Sequence, residues 1–193
     1  MFDKKRAEAA VKELLLAFGE DTDREGLKDT PHRVAGYWEE LLEGQKYSNK
    51  EIAEMFGKCF EVPNNSLVVK EIKNVFSHCE HHLALMYNMT VIVAYIPTIT
   101  KNKKYKVIGL SKIPRIVEMC AKRLQLQEKL AEDISECISI ATGSNDVFVN
   151  IVADHACVSA RGARSDGITD VTSLHGEFIN NSDLRNEVEK KLR

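Results

Sequence analysis

Four residue types that bind metals and carry protons stand side by side in the segment Cys79-Glu80-His81-His82. A second segment of this kind lies far downstream, at Asp154-His155-Ala156-Cys157. Cys79 and His82 have the Cys-x2-His spacing with which one tight turn can present two ligands, and Cys157 supplies a third. We therefore expect the two segments to meet in space and to hold one zinc ion.

The chemistry of such a site depends on the number of protein ligands. We find no convincing fourth ligand, because the other cysteines lie in apolar or helical patterns: Cys59, Cys120 and Cys137. Two thiolates, one imidazole and an open position make a catalytic zinc site. His81 and His155 then lie beside the metal without binding it. Both are candidates for proton transfer, since histidine titrates near neutrality.

The same residues also have interpretations without catalysis. Cys79 could be a small buried hydrophobe, and His81 could be a histidine whose hydrogen bonds are satisfied within a core. A non-catalytic protein with a structural zinc is a further alternative, which requires a fourth protein ligand. His78 is the nearby candidate for that ligand. Residue spacing alone leaves these alternatives open.

Composition and charge narrow the class of protein. The chain has 193 residues, of which 44% are hydrophobic and 29% charged, as in ordinary globular proteins. The 27 basic and 29 acidic residues give a net charge of −2, which provides no general attraction to nucleic acid or anionic membranes. No apolar run approaches the roughly 18 residues of a membrane span, and no apolar signal core follows the N-terminus. We expect a cytoplasmic protein whose five cysteines are reduced.

The N-terminal third of the chain has helical periodicity. A first apolar stripe predicts a helix over residues 7–18, and Thr30-Pro31 predicts the start of a second helix that Gly44 ends. Ser48 and Glu51 form a capping box for a short third helix. Pro63-Asn64-Asn65 is a predicted turn and the expected domain boundary. We expect an N-terminal helical region at 1–64 and a catalytic domain at 65–193.

From Leu67 onwards the apolar pattern changes to that of strands alternating with helices. Strands are predicted at 67–76, 89–95, 105–110, 147–153 and 170–179. Helices are predicted to begin at Ser111 and at Leu126, the second with Gly143 past its end, and a terminal helix is predicted with Ser182 as its cap. This order predicts an α+β fold, in which an antiparallel sheet is backed by helices. Both candidate metal segments follow predicted strands.

Six short segments resemble the signature segments of the GTP cyclohydrolase I family, in that family's order and at matching intervals. They run from Arg24 to Gly162, and the resemblance extends to about Phe178. The segments are Arg24-Glu25-Gly26-Leu27, Asp29-Thr30-Pro31-His32-Arg33-Val34-Ala35, Cys79-Glu80-His81-His82, Val107-Ile108-Gly109-Leu110-Ser111-Lys112, Leu126-Gln127-Glu128 and Ala160-Arg161-Gly162.

The resemblance implies a tunnelling fold with an N-terminal helical arm, assembled into a ring. It implies a toroidal homodecamer whose active sites are shared between neighbouring subunits. The implied reaction is the zinc-dependent opening of the imidazole ring of GTP. Formate is released, and the product is 7,8-dihydroneopterin triphosphate, which feeds folate, biopterin and deazaguanine routes alike.

The resemblance also implies a role for individual residues. Cys79, His82 and Cys157 match the zinc ligands, and His81 and His155 match the two histidines that handle protons. Glu128 matches the carboxylate that reads the guanine edge, and its neighbour Gln127 is placed with it in substrate binding. The implied triphosphate contacts are Lys112, Arg115, Arg161 and, from a neighbouring subunit, Arg33, and Ser111 is placed in substrate binding.

Two segments depart from the family pattern. Leu85-Met86-Tyr87-Asn88 stands where the family commonly has a Pro and a Gly, and Asn88 tolerates the positive φ that such a turn needs. The run after Gly162 lacks the usual series of Ser and Thr residues. A relative that acts on another purine or pterin is therefore a second hypothesis.

Overall fold

The computed structural model describes residues 2–192 and divides the chain into two compact units. The first unit extends to Lys46 and the second begins at Tyr47. Helix α3 (Asn49–Phe56) and strand β1 (Cys59–Val62) precede the turn at Pro63 and pack within the second unit. Each unit is described separately.

The first unit is built on two helices, α1 (Lys4–Ala17) and α2 (Thr30–Leu41), followed by a 3₁₀ turn at Glu43–Lys46. The side chain of Asp3 caps α1 by accepting a hydrogen bond from the backbone of Arg6. Asp29, not Thr30, is the N-cap residue of α2, so Thr30 and Pro31 both lie inside its first turn. Thr30 is therefore the first residue of the helix, and the cap is the residue before it.

The second unit contains a five-stranded sheet in the order β6-β2-β3-β7-β8. Its four long strands are antiparallel, and β6 pairs in parallel with the end of β2. A three-stranded sheet, in the order β1-β5-β4, accompanies it. The strands are β1 (Cys59–Val62), β2 (Val68–Cys79), β3 (Leu85–Tyr95), β4 (Thr98–Ile99), β5 (Tyr105–Ile108), β6 (Leu124–Gln125), β7 (Val147–His155) and β8 (Thr169–Leu174).

Helices cover both faces of the long sheet, as the alternation along β3 shows. Val91, Val93 and Tyr95 are in the main core cluster, with residues of α3 (Asn49–Phe56), α4 (Lys112–Ala121) and α5 (Gln127–Thr142). Ala94 belongs to a second cluster with Val188 of α7 (Ser182–Lys191). Successive side chains of a strand face opposite sides, so one strand contributes to both cores. The one-turn helix α6 (Ala156–Ser159) and a 3₁₀ turn at Gly176–Phe178 complete the unit.

Local signals in the sequence predicted several of these elements correctly. The capping box at Ser48 and Glu51 is present, and Gly143 ends α5 with a φ of 75°. The predicted strand over 170–179 is shorter, because β8 ends at Leu174 and a 3₁₀ turn follows. The cap of α7 is Asn181, whose side chain accepts from the backbone of Leu184, so Ser182 is the first helical residue. The architecture is α+β, as predicted.

Candidate functional site

The first half of the site is a tight turn at the end of β2. Cys79 is the last residue of the strand and is buried, and its backbone N–H donates to Ala84 O at 2.9 Å. This hydrogen bond closes the loop over Glu80 to Leu83, and Leu83 has a positive φ of 53°. His81 and His82 lie exposed on the loop, with ring centroids 6.5 Å apart. The loop therefore presents two imidazoles beside a buried thiol.

The second half of the site begins where β7 ends. His155 is the final residue of β7, and Cys157 lies in α6, which starts immediately afterwards. Sheet pairing of Met86 with His155 brings this end of β7 alongside the start of β3, which follows the loop that begins at Cys79. Burial, together with the adjacent thiol of Cys79, raises the pKa of the Cys157 thiol. Cys79 and Cys157 therefore interact directly.

The third predicted ligand contacts a different partner. The Nε2 atom of His82 lies 2.9 Å from Nη1 of Arg161, which follows α6. Arginine has donors only, so His82 accepts this hydrogen bond with the ring lone pair of Nε2. Among residues 2–192, no group of three or more Cys, His, Asp or Glu side chains is arranged around a common point as metal ligands are.

The donor chemistry nevertheless fits a zinc ion in two respects. Cys79 and Cys157 form a pair of thiols, which are preferred zinc ligands. His82 stands three residues after Cys79 on the same loop, and its Nε2 lone pair is unprotonated, as a metal ligand requires. Arg161 competes for that lone pair, so His82 is available as a ligand when this hydrogen bond is released.

Both the side chain and the backbone of His155 are held by hydrogen bonds. Its Nε2 lies 2.6 Å from Oε1 of Gln127, the first residue of α5. Its backbone carbonyl accepts a hydrogen bond from Ser159 Oγ at 3.2 Å, and Ser159 Oγ is also 3.3 Å from the hydroxyl of Tyr87. Residue spacing does not indicate the contacts of Tyr87 and Ser159, because they arise only when β3 and α6 pack together.

The turn that departs from the family pattern is incorporated into a strand. Asn88 has a φ of 50°, as predicted, but it lies inside β3 next to an irregularity of the β3–β7 register. Its side chain donates to Asp154 Oδ2 at 2.8 Å. This hydrogen bond connects β3 to the residue before His155.

The other predicted substrate contacts lie at helix N-termini. Ser111 is the N-cap residue of α4 without a side-chain capping bond, and Lys112 and Arg115 follow in the first turns. Glu128 is exposed in the first turn of α5, where the helix dipole favours a carboxylate. Arg33 belongs to the first unit, where it pairs with Asp29 at 3.5 Å.

Comparison with known proteins gives the family. The family model described as GTP cyclohydrolase I matches residues 7–193. The chain belongs to the GTP cyclohydrolase I family. It is 49% identical over 189 residues to GTP cyclohydrolase 1 of Clostridium acetobutylicum. The aligned residues cover 94% of this chain and 93% of that protein.

Two further relatives agree with this assignment. GTP cyclohydrolase 1 of Clostridium beijerinckii is 48% identical over 193 residues, covering 96% of this chain and 94% of the relative. GTP cyclohydrolase 1 of Clostridium botulinum (strain Kyoto) is 50% identical over 184 residues, covering 91% and 90%. The chain is therefore an enzyme of the GTP cyclohydrolase I family, as its motifs predicted. Within residues 2–192, no helix is both long and apolar enough to cross a membrane.

Proposed function

We propose that the chain opens the imidazole ring of GTP, releases C8 as formate and forms 7,8-dihydroneopterin triphosphate. The observation that carries the proposal is the direct interaction of Cys79 with Cys157 in a member of this family. The thiol pair lies beside the loop that carries His81 and His82, and His155 is the residue that ends the neighbouring strand. The residues that we propose as metal ligands and proton carriers are thus near one another along β2, the loop after it and the end of β7.

Zinc would be held by Cys79, Cys157 and His82, with His82 exchanging its hydrogen bond to Arg161 for the metal. When bound there, zinc supplies Lewis acidity for the hydrolytic steps. His81 and His155 would exchange protons with the purine ring and with water. A general acid or base of this kind typically contributes ~10²- to 10⁴-fold in rate.

Base recognition would fall to Glu128. An ionised carboxylate is acceptor-only, so it matches the N1–H and N2–H₂ donors of guanine, which adenine lacks. A carboxylate left unpaired against adenine would cost roughly 1–3 kcal/mol or more. Sites that use hydrogen bonds in this way discriminate by several powers of ten.

The triphosphate would be bound by cations at helix starts. Lys112 and Arg115 place positive charge at the beginning of α4, where the helix dipole also favours an anion, an arrangement suited to phosphate. If His82 bound zinc, its hydrogen bond with Arg161 would break, and Arg161 could then bind the triphosphate as well. We also propose that Arg33 reaches a neighbouring subunit's site in a ring-shaped decamer located in the cytoplasm.

A structural zinc is the less favoured alternative because of the position of His78. His78 and Cys79 are successive residues of β2, so their side chains face opposite sides of the sheet. Burial lowers the pKa of His78, whose side chain is almost wholly enclosed. An additional imidazole on the far side of the strand does not complete a four-ligand site with Cys79.

The test is incubation of the zinc-loaded protein with GTP. Formate and the fluorescence of the oxidised pterin should both appear, and ATP should give neither product. Glu128→Gln should impair GTP binding with normal zinc content, since one amide NH₂ would face guanine donors. Glu54→Gln, at an exposed carboxylate of α3, is the matched control. Equal turnover of ATP and GTP, or no formate from GTP, would contradict the proposal.

A further inference from the structure

Gln127 is a buried polar residue at the junction of the site. It is the first residue of α5 and only 2% exposed, and it lies against the middle of β7 and the start of β8. A buried amide has to satisfy two N–H donors and one carbonyl acceptor. The partners of those groups show what Gln127 does.

Both donors of Gln127 are used by backbone carbonyls. Nε2 donates to Ile151 O at 2.8 Å and to Thr169 O at 3.0 Å. These bonds fix the orientation of the amide, because the reversed amide would place its oxygen against two carbonyl oxygens. Oε1 must therefore be the atom that faces His155, at 2.6 Å from its Nε2.

This geometry determines which ring nitrogen of His155 carries the hydrogen. An amide oxygen only accepts, so Nε2 of His155 must carry the hydrogen that it shares with Gln127. In the neutral ring, the free lone pair is then on Nδ1. The backbone of the same histidine is restrained by Ser159 and by its pairing with Met86. Ring tautomer and ring position are thus both determined.

We propose that Gln127 is a positioning residue for His155, which it holds as the Nε2–H tautomer with Nδ1 as the proton-exchanging nitrogen. This inference rests on the function proposed above and changes the role expected for Gln127. Its donors are engaged with backbone, its oxygen is engaged with the histidine, and its side chain is enclosed. Gln127 therefore orients a proton carrier and does not contact GTP.

The chain provides a matched control two residues away. Gln125 is also 2% exposed, and its Nε2 also donates two hydrogen bonds, to Ser77 Oγ at 3.1 Å and to Cys120 O at 2.8 Å. Its Oε1 has no hydrogen-bond partner among residues 2–192. Gln125→Leu thus removes a buried glutamine with similar donor bonds, none of which involves His155.

The first readout does not require turnover. Magic-angle-spinning ¹⁵N NMR of histidine-labelled, zinc-loaded protein reports which ring nitrogen is protonated, and the spectrum of His155→Gln identifies the His155 signals. We expect the Nε2–H tautomer in the parent protein and in Gln125→Leu. Gln127→Leu should show a mixture of the two tautomers. An Nδ1–H tautomer in the parent protein would overturn the proposal, and this measurement remains informative if Gln127→Leu fails to fold.

The second readout separates positioning from substrate contact. Gln127→Leu should lower kcat by about 10- to 100-fold, as loss of an orienting partner does, with KM for GTP within about twofold of the parent value. Gln125→Leu should retain kcat. A raised KM with an unchanged kcat in Gln127→Leu would show a substrate contact and refute positioning. Absence of GTP turnover in the parent protein would refute the proposed function instead, while the tautomer could still be measured.

Discussion

The buried ion pair of Asp133 with Arg123 provides the sharpest test of the structural reasoning. Asp133 lies on α5 with a side chain 4% exposed, and Arg123, whose side chain is 13% exposed, lies 2.7 Å away. Asp133 also accepts from Asn49 at 2.9 Å and from Lys129. Arg123 in turn donates to Asn49 Oδ1 and to Tyr47 O. The network joins α3, α5 and the segment after α4.

Asp133→Ala should destabilise the second unit strongly. Removal of one partner from a buried ion pair typically costs about 3–5 kcal/mol, because the remaining charge stays buried without compensation. Asp133→Asn keeps the shape and one acceptor, so it should cost less than Asp133→Ala. The exposed pair of Lys50 with Glu54, at 3.9 Å, is the control, since such pairs contribute about 0–1 kcal/mol.

The assay is urea unfolding followed by circular dichroism, at one fixed protein concentration because assembly would alter the apparent stability. The free energy of unfolding should fall in Asp133→Ala and stay near the parent value in Glu54→Ala. A loss smaller than about 1 kcal/mol in Asp133→Ala, below the range for a buried pair, would refute the reasoning.

The same network predicts a dependence on acid. Burial raises the pKa of Asp133, but hydrogen bonds from Lys129 and Asn49 and the charges of Lys129 and Arg123 outweigh it, so the net pKa is lowered. A carboxylate whose folded pKa is lowered gives its full stabilisation above the unfolded value of about 3.9. That stabilisation is lost as the pH falls through the folded pKa. Between about pH 5 and 7, which is above the unfolded pKa of ~3.9, the stability difference between the parent protein and Asp133→Asn should therefore be constant. It should shrink in stronger acid.

Three further predictions concern the site and a backbone position. Cys79→Ser and Cys157→Ser should each lower zinc content, measured by elemental analysis, and abolish turnover; full zinc and activity in either variant would remove it from the ligand set. His81→Ala and His155→Ala should keep zinc and lose ~10²- to 10⁴-fold in kcat, whereas loss of metal would make them ligands. Gly176→Ala should destabilise the fold by more than about 1 kcal/mol, since Gly176 has a φ of 59° and a Cβ there would lie 2.1 Å from Asp146 Oδ1. Gly167→Ala, with open space around it, is the control, and equal thermal stability of the two variants would contradict this reading.

The sequence by itself determined the elements whose signals are local. The capping box of Ser48 and Glu51, the left-handed Gly143 after α5 and the alternation along β7 depend on residues within a few positions of one another. Such signals operate through backbone geometry and short-range burial, so periodicity detects them. The order of the motifs was sufficient to predict the family as well.

Short strands and exact helix caps required tertiary information. Strands β4 and β6 contain two residues each, and only their pairing with β5 and β2 makes them strands. The cap of α7 is whichever of two neighbouring residues, Asn181 or Ser182, accepts a hydrogen bond from a free backbone N–H of the first turn. The two candidates differ by one position in the chain. Periodicity cannot resolve a choice of that size.

The partners of the site residues were decided by the tertiary structure alone. Residue types predicted that Cys79 and Cys157 would meet, but not that His82 would accept a hydrogen bond from Arg161. Nor did they predict that Gln127 would be enclosed with both donors on backbone carbonyls and its oxygen on His155. Hydrogen-bond partners depend on the positions of side-chain atoms to within about an ångström, and packing between β7, β8 and α5 sets those positions.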